Sequence, residues 1–117
     1  MVVGWQEPSR LETPIEIEPR TSATELQVVR LQGELDAASA APAFGAVFDA
    51  LARRRTSAVL VDCFGISLLT AAGLTMMIRA QRRADASGVT LVFARLRDLP
   101  LRTVRITGLD RRLTLIA

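Results

Sequence analysis

The stretch SAVLVDCFGISLLTAAGLTMMIRAQRRA (57–84) decides the fold. It opens with a continuous apolar run, 57–64, which is typical of a central strand covered on both faces. It closes with a run whose apolar and uncharged residues recur at helical spacing, namely Leu74, Met77, Ile78 and Gln81. No charge occurs between Cys63 and Ile78, but this run is shorter than a bilayer span and holds Gly, Ser and Thr. The stretch therefore predicts a buried strand that leads directly into a buried helix of a soluble core.

Toward the N-terminus the pattern adds two strands and a helix. TPIEIEP (13–19) alternates Ile with Glu between two prolines, as a half-exposed edge strand does, and ELQVVRLQGEL (25–35) predicts a second strand. The next helix carries the stripe Phe44, Val47, Phe48 and Leu51. We expect Ser39 to be its N-cap and Pro42 to fall in its first turn.

Toward the C-terminus the alternation of strand and helix continues. VTLVFARL (89–96) predicts another buried strand, and LPLRTVRIT (99–107) predicts a short helix ended by Gly108. We expect Leu101, Val104 and Ile106 on the inward side of that helix. LTLIA (113–117) predicts a last strand.

The order ββαβαβαβ predicts an α/β fold: a single mixed β-sheet of about five strands with helices packed on one face. Residues 1–12 have no periodic pattern and are expected to form a flexible tail, and residues 13–117 form one domain.

The residue inventory excludes several classes of function. The chain of 117 residues has no His and one Cys, so the common zinc sites and the Ser-His-Asp and Cys-His catalytic sets are not available to it. We expect no cofactor, no metal and no enzymatic activity. All 15 basic residues are Arg and the net charge is +3, but the arginines cluster at helix ends and aromatic residues are few, which argues against nucleic acid as a partner. Without a signal peptide or a spanning segment, a cytoplasmic location is expected.

The sequence resembles a known family in three patches that follow one another in order. VVRLQGELDAASAAPAF (28–44), AVLVDCFGISLLTAAGLTMMIRAQRRADASGVTLVFARL (58–96) and VRITGLDRRL (104–113) resemble STAS domains, the fold of sulphate transporters and anti-sigma factor antagonists. In members that act as anti-sigma factor antagonists, the second patch contains an Asp followed by a Ser at the junction of its strand and helix. This Ser is phosphorylated by a kinase that is also the anti-sigma factor. The resemblance places Thr70 at the Asp before that Ser, Ala71 at the phosphorylated position and Ala72 after it.

The resemblance implies a protein-binding surface without the usual switch, because Ala71 has no hydroxyl group. It implies that this surface is formed by Asp36, Ser39, Ser67, Leu69, Thr70, Ala71, Ala72, Gly73 and Leu74. Thr70 is interpreted as the N-cap of the following helix in preference to a displaced phosphorylation site, and Ser67 and Thr75 are weaker candidates for such a site. Asp36 either contributes to the binding surface or simply opens its helix, and Cys63 is interpreted as inert core in preference to a redox sensor.

The implied function is that of an anti-sigma factor antagonist-like regulator in a partner-switching system, whose partner is an anti-sigma factor with serine kinase activity. Two alternatives share the fold: a cytosolic accessory subunit of an ABC-type lipid transporter, and a scaffold in a signalling assembly. Family members commonly continue into a C-terminal helix after the last strand. No such helix is predicted after the strand at 113–117. We therefore expect a partner, the N-terminal segment or a second copy to cover part of the sheet, and a homodimer stays an option.

Overall fold

Strands and helices alternate along the part of the chain that the structure describes. The computed structural model describes residues 25–117. The elements are β1 (Glu25–Leu35), α1 (Ala37–Ala52), β2 (Thr56–Leu69), α2 (Ala71–Ser87), β3 (Thr90–Ala94), α3 (Asp98–Ile106), a single 3-10 turn (Leu109–Arg111) and β4 (Leu115–Ile116). This alternation confirms the predicted α/β class.

The four described strands form one parallel sheet in the order β1-β2-β3-β4. The prediction of about five strands in a mixed sheet is corrected to four parallel strands for residues 25–117. The additional strand predicted at 13–19, like the tail predicted at 1–12, lies outside the described residues. Consecutive parallel strands need a crossover connection, which α1, α2 and α3 supply.

The hydrophobic core lies between the sheet and the helices. Helix α1 packs on β1, β2 and α2, and α2 packs on β2 and β3, so these two helices share one face of the sheet. Alternate strand residues such as Val29, Leu31, Val59 and Val61 turn their side chains into this core and are almost fully buried. The helices contribute the buried residues Ala43, Val47, Leu74, Met77, Ala80 and Val104, among others. The prediction that α2 buries Leu74 and Met77 is confirmed.

Three β-bulges interrupt the pairing of β1 with β2, one at its start, between Glu25 and Leu26, and two farther along. Arg30 pairs with Asp62 but Gln32 pairs with Gly65, and Gly33 pairs with Ile66 but Glu34 pairs with Leu68, so β2 carries an extra residue at each step. As a result the buried residues of β2 switch from a spacing of two to a spacing of three, at Cys63, Ile66 and Leu69. The bulges keep these three side chains in the core and leave Phe64 and Leu68 exposed.

Helix α1 begins earlier than predicted. Asp36, not Ser39, is the N-cap, and Ser39 is the third residue of the helix. Pro42 therefore lies in the second turn and not in the first. The reason is that the Asp36 carboxylate accepts two backbone N–H groups of the first turn, which makes it the stronger cap of the two residues.

Helices α2 and α3 end as the glycine pattern predicted. Gly88 and Gly108 both have positive φ, 74° and 78°, the left-handed conformation that ends a helix. Val104 is fully buried, but Ile106 is 76% exposed, so its predicted inward position is wrong. Residues two apart on a helix differ by about 200° in direction, which turns Ile106 away from the core that Val104 faces.

Candidate protein-binding site

The N-termini of α1 and α2 lie side by side at the ends of β1 and β2. Leu35 and Leu69 form the last pair of the β1–β2 register, and a helix begins within two residues of each. The carbonyl oxygen of Leu35 accepts hydrogen bonds from the backbone N–H of Thr70, at 3.1 Å, and from its hydroxyl, at 3.3 Å. The structure thus brings together two of the patches that the sequence analysis singled out, although they are more than thirty residues apart in the chain.

Asp36 and Ser39 form a reciprocal capping box at the start of α1. The Asp36 Oδ1 atom accepts the backbone N–H groups of Ala38 at 3.0 Å and Ser39 at 3.1 Å, and the Ser39 hydroxyl accepts the Asp36 N–H at 3.0 Å. The same hydroxyl donates to the Glu34 carbonyl oxygen at 2.8 Å. Asp36 thus opens its helix, and its part in the binding surface stays a prediction. Ser39 is buried, and its hydrogen bonds to Asp36 and Glu34 hold the start of α1 in place.

Thr70 occupies the N-cap position of α2 but does not cap the helix with its side chain. The predicted capping bond is therefore wrong. The Thr70 hydroxyl donates to the Leu35 carbonyl oxygen instead, so it is directed toward β1 and away from the amides of the first turn. Thr70 is half-buried, and its hydroxyl already has a partner inside the protein.

Gly73 allows α2 to lie close against the end of β1. A Cβ atom added at Gly73 would meet the Leu35 carbonyl oxygen at 2.5 Å and the Leu69 side chain at 2.8 Å, both shorter than real contacts. Any residue larger than glycine would push the first turn of α2 off the sheet. The close approach therefore fixes where Ala71, two residues earlier, meets solvent.

The predicted surface residues divide into an exposed group and a supporting group. Ala71 and Ser67 are exposed, and Thr70, Asp36 and Ala72 are half-buried. The remaining four are buried beneath them: Ser39, Leu69, Gly73 and Leu74. The exposed surface is thus made of small side chains, with no charged group other than Asp36 among the predicted residues.

Sequence reasoning missed Leu68, which is 37% exposed near the end of β2. The run ISLL (66–69) has no alternation to show that one of its two leucines is exposed and the other buried. The last β-bulge, between Ile66 and Leu68, makes that difference. Only the pairing with β1 reveals it.

A second cluster lies on β2 and the β3–α3 loop. Arg95 makes a bidentate pair with Asp62, at 3.1 and 2.7 Å, and its guanidinium also lies 4.6 Å from the centre of the Phe64 ring. Arg97 stacks on the same ring at 4.1 Å. Arg95 and Asp98 both have positive φ, 63° and 53°, an unusual conformation for residues other than glycine. This cluster was not predicted, because it depends on residues that are about thirty positions apart.

The environment of Asp62 lowers the pKa of its carboxyl group below the usual value of 3.8. Burial alone would raise the pKa, but the hydrogen bonds from Arg95 and the Phe64 N–H, with the charges of Arg95 and Arg30, outweigh it. The charged form is thus the stable one inside the fold.

Cys63 behaves as a core residue. Its side chain is fully buried, and burial followed by the neighbouring Asp62 charge raises the pKa of the thiol far above its ordinary range. The interpretation as inert core is supported by both observations.

Within residues 25–117 no group of His, Cys, Asp and Glu side chains is arranged to hold a metal ion. In the same residues, none of the helices combines the length and the apolar character that a bilayer crossing needs.

Comparison with known proteins gives a family and a fold. The family model described as "Mlab, STAS domain" matches residues 20–117. An anti-sigma factor antagonist from Mycobacterium paratuberculosis is similar in structure, with a TM-score of 0.67, 21% identity, and 77% of this chain and 75% of that chain covered. The anti-sigma factor antagonist SpoIIAA in its unphosphorylated form is similar with a TM-score of 0.65, 15% identity, and 85% of each chain covered. No protein of curated function matches the chain in sequence.

Proposed function

The chain belongs to the STAS domain family, and we propose that it is a regulator that binds a kinase-type anti-sigma factor without being switched by it. The observation that carries the proposal is the position of Ala71. It is exposed on the first turn of α2, on a junction that Leu35, Thr70 and Gly73 hold in place. The structural similarity to anti-sigma factor antagonists supports the fold on which this surface depends.

A phosphate at this position would act through elementary electrostatics. The free amides and the dipole of a helix N-terminus accept a negative charge, so phosphorylation of a serine there leaves the fold intact. The added charge of about −1.5 to −2 then repels the binding partner. Ala71 leaves the binding surface uncharged and has no hydroxyl group to phosphorylate, so the partner stays bound.

The nearest hydroxyl does not replace the missing serine. The Thr70 hydroxyl donates to the Leu35 carbonyl oxygen and belongs to a half-buried residue. A kinase would have to break this contact to reach it. We therefore propose that binding is governed by the amount of protein or by another ligand, in the cytoplasm where such partners are found.

The test is a charge placed at the proposed surface. Ala71→Asp is expected to weaken binding of the purified kinase-type anti-sigma factor from the same genome at least tenfold. It is not expected to unfold the protein, because an acidic residue in the first turn stabilises a helix. The matched control is Ala86→Asp, at an exposed position near the other end of the same helix, about 22 Å away along its axis. Equal affinity of wild type and Ala71→Asp would overturn the proposal.

A second candidate is the accessory subunit of an ABC-type lipid transporter, which the resemblance left open. Ala71 suits this role equally, because a docking surface for an ATPase subunit needs no hydroxyl group. Titration of the same protein with a purified ABC ATPase subunit separates the two. Tight binding to that subunit, with none to the anti-sigma factor, would assign the chain to transport.

A further inference from the structure

An apolar groove runs along α2 from the proposed binding surface. Its volume is about 320 Å³, and it is lined by Ala71, Leu74, Thr75, Ile78, Arg79, Arg82 and Leu109. Six of these residues belong to α2, and Leu109 forms the facing wall. The groove therefore starts at Ala71 and follows the helix away from it.

The segment after α3 builds the facing wall. Gly108 has a φ of 78°, which turns the chain into the 3-10 turn that starts with Leu109. Leu109 is half-buried and packs against the edge of the core, as Ile78 does. Farther along, the side-chain oxygen of Gln81 accepts the backbone N–H of Thr114 at 3.0 Å and ties this segment to α2. The TGL motif (107–109), to which the resemblance assigned no role, thus shapes the groove.

We propose that this groove binds an amphipathic, acidic helix of the same partner protein that covers Ala71. The inference rests on the proposed function and names the kind of partner segment that the surface accepts. The groove and Ala71 then form one continuous interface.

The shape and the chemistry of the groove carry the proposal. The lining residues from Ala71 to Arg82 span about 16 Å along α2, roughly three turns, which is the length of a short docked helix. Ala71, Leu74, Ile78 and Leu109 give it an apolar floor, and such a floor accepts side chains spaced at i, i+3 or i+4, and i+7. No acidic residue lines the groove, whereas two arginines do, so Asp or Glu residues on the incoming helix are complementary.

A second copy of this chain is a poorer occupant. Among the described residues, α3 is the helix with large exposed apolar side chains, Leu99 and Ile106. It also carries Arg102 and Arg105, both exposed. Docking α3 into the groove would bring these arginines toward Arg79 and Arg82, and like charges at an interface oppose association.

The experiment compares charge reversals in the groove and away from it. Arg82→Glu is expected to weaken binding of the purified kinase-type anti-sigma factor at least tenfold, whereas Arg102→Glu, the same change on α3, is expected to alter it less than twofold. Arg79 is not chosen, because its guanidinium stacks on the Phe44 ring at 4.6 Å and its loss would also affect packing between α1 and α2. Thr75→Trp is a second variant, which fills the groove from an exposed position, with Ala86→Trp as its control.

The outcomes separate the groove from the proposed function. If the wild type binds the anti-sigma factor, and Arg82→Glu and Thr75→Trp weaken this binding while their controls do not, the groove is supported. If Ala71→Asp weakens binding of the anti-sigma factor but the two groove variants do not, the proposal that the groove binds a helix is overturned and the proposed function stands. Wild type that does not bind the anti-sigma factor overturns the proposed function itself.

Discussion

The carbonyl oxygen of Leu35 accepts two hydrogen bonds from Thr70, one from its backbone N–H and one from its hydroxyl. This contact joins the end of β1 to the first residue before α2. Together with the close approach of Gly73 to the same carbonyl, it fixes the first turn of α2 against the sheet. Ala71 is thus presented on a rigid edge and not on a loop, which suits a protein that binds a partner without changing shape.

Removal of the Thr70 hydroxyl tests this contact. Thr70→Val keeps the shape of the side chain and loses the bond to Leu35, and we expect the free energy of unfolding to fall by about 0.5–1.5 kcal/mol. Thr70→Ser keeps the hydroxyl and is expected to lose less. Urea unfolding monitored by circular dichroism measures both variants. If Thr70→Val were as stable as wild type, the hydroxyl would have no part in fixing the junction.

Substitution of Gly73 and of Gly45 by Ala tests whether α2 needs its close approach to β1, because both glycines lie in helices but only Gly73 has backbone close to it. Gly73→Ala is expected to cost about 2 kcal/mol, because its Cβ atom meets backbone at 2.5 Å and overpacking outweighs the gain in helix propensity. Gly45→Ala, in α1, has no atom within 4 Å and is expected to gain about 0.5–1 kcal/mol. Thermal and urea unfolding of the two variants give the comparison. A stabilised Gly73→Ala protein would show that α2 does not need this close approach.

The ion pair of Asp62 with Arg95 predicts a pH-dependent contribution to stability. Because the pKa of Asp62 is lowered in the folded state, the pair stabilises the protein fully above the unfolded value of 3.8 and is lost as the pH falls through the lower, folded value. Asp62→Asn is therefore expected to cost about 1–2 kcal/mol at pH 7. The difference from wild type is expected to shrink below pH about 4.

Asp98→Asn is the control for this measurement. Asp98 pairs with Arg97, but the side chains are 73% and 50% exposed, so its loss is expected to cost less than about 1 kcal/mol. A constant difference between wild type and Asp62→Asn from pH 7 down to pH 3 would contradict the account of the Asp62 pair.

The sequence predicted the alternation of strands and helices because the two periods, two and 3.6, are local signals. It also placed the start of α2 correctly at Thr70, but β2 runs to Leu69 and not only to the predicted residue 64, because its pairing with β1 continues through the bulges. The N-cap of α1 was misplaced because Asp36 and Ser39 are both good caps, and the choice depends on where the strand before them ends. Pattern alone does not locate that end.

Contacts between distant segments could not be predicted from the sequence. The bulges in β2 arise from its pairing with β1, so the exposure of Phe64 and Leu68 has no local signature. Likewise, no local pattern shows that Arg95 and Arg97 stack on the ring of Phe64, which belongs to another strand. The groove beside Ala71 needs Leu109, which lies 38 residues farther along the chain and reaches α2 only through the turn at Gly108.

The affinity of the wild-type protein for its kinase-type anti-sigma factor, measured with and without ATP, decides whether the switch is absent, and mass spectrometry follows phosphate incorporation. We expect the same affinity in both conditions and no phosphorylated residue between 66 and 75. Ala71→Ser is the matched variant, and it is expected to take up phosphate and release the partner when ATP is added. ATP-dependent release of the wild-type protein, with phosphate on Thr70, would contradict the claim that the switch is absent.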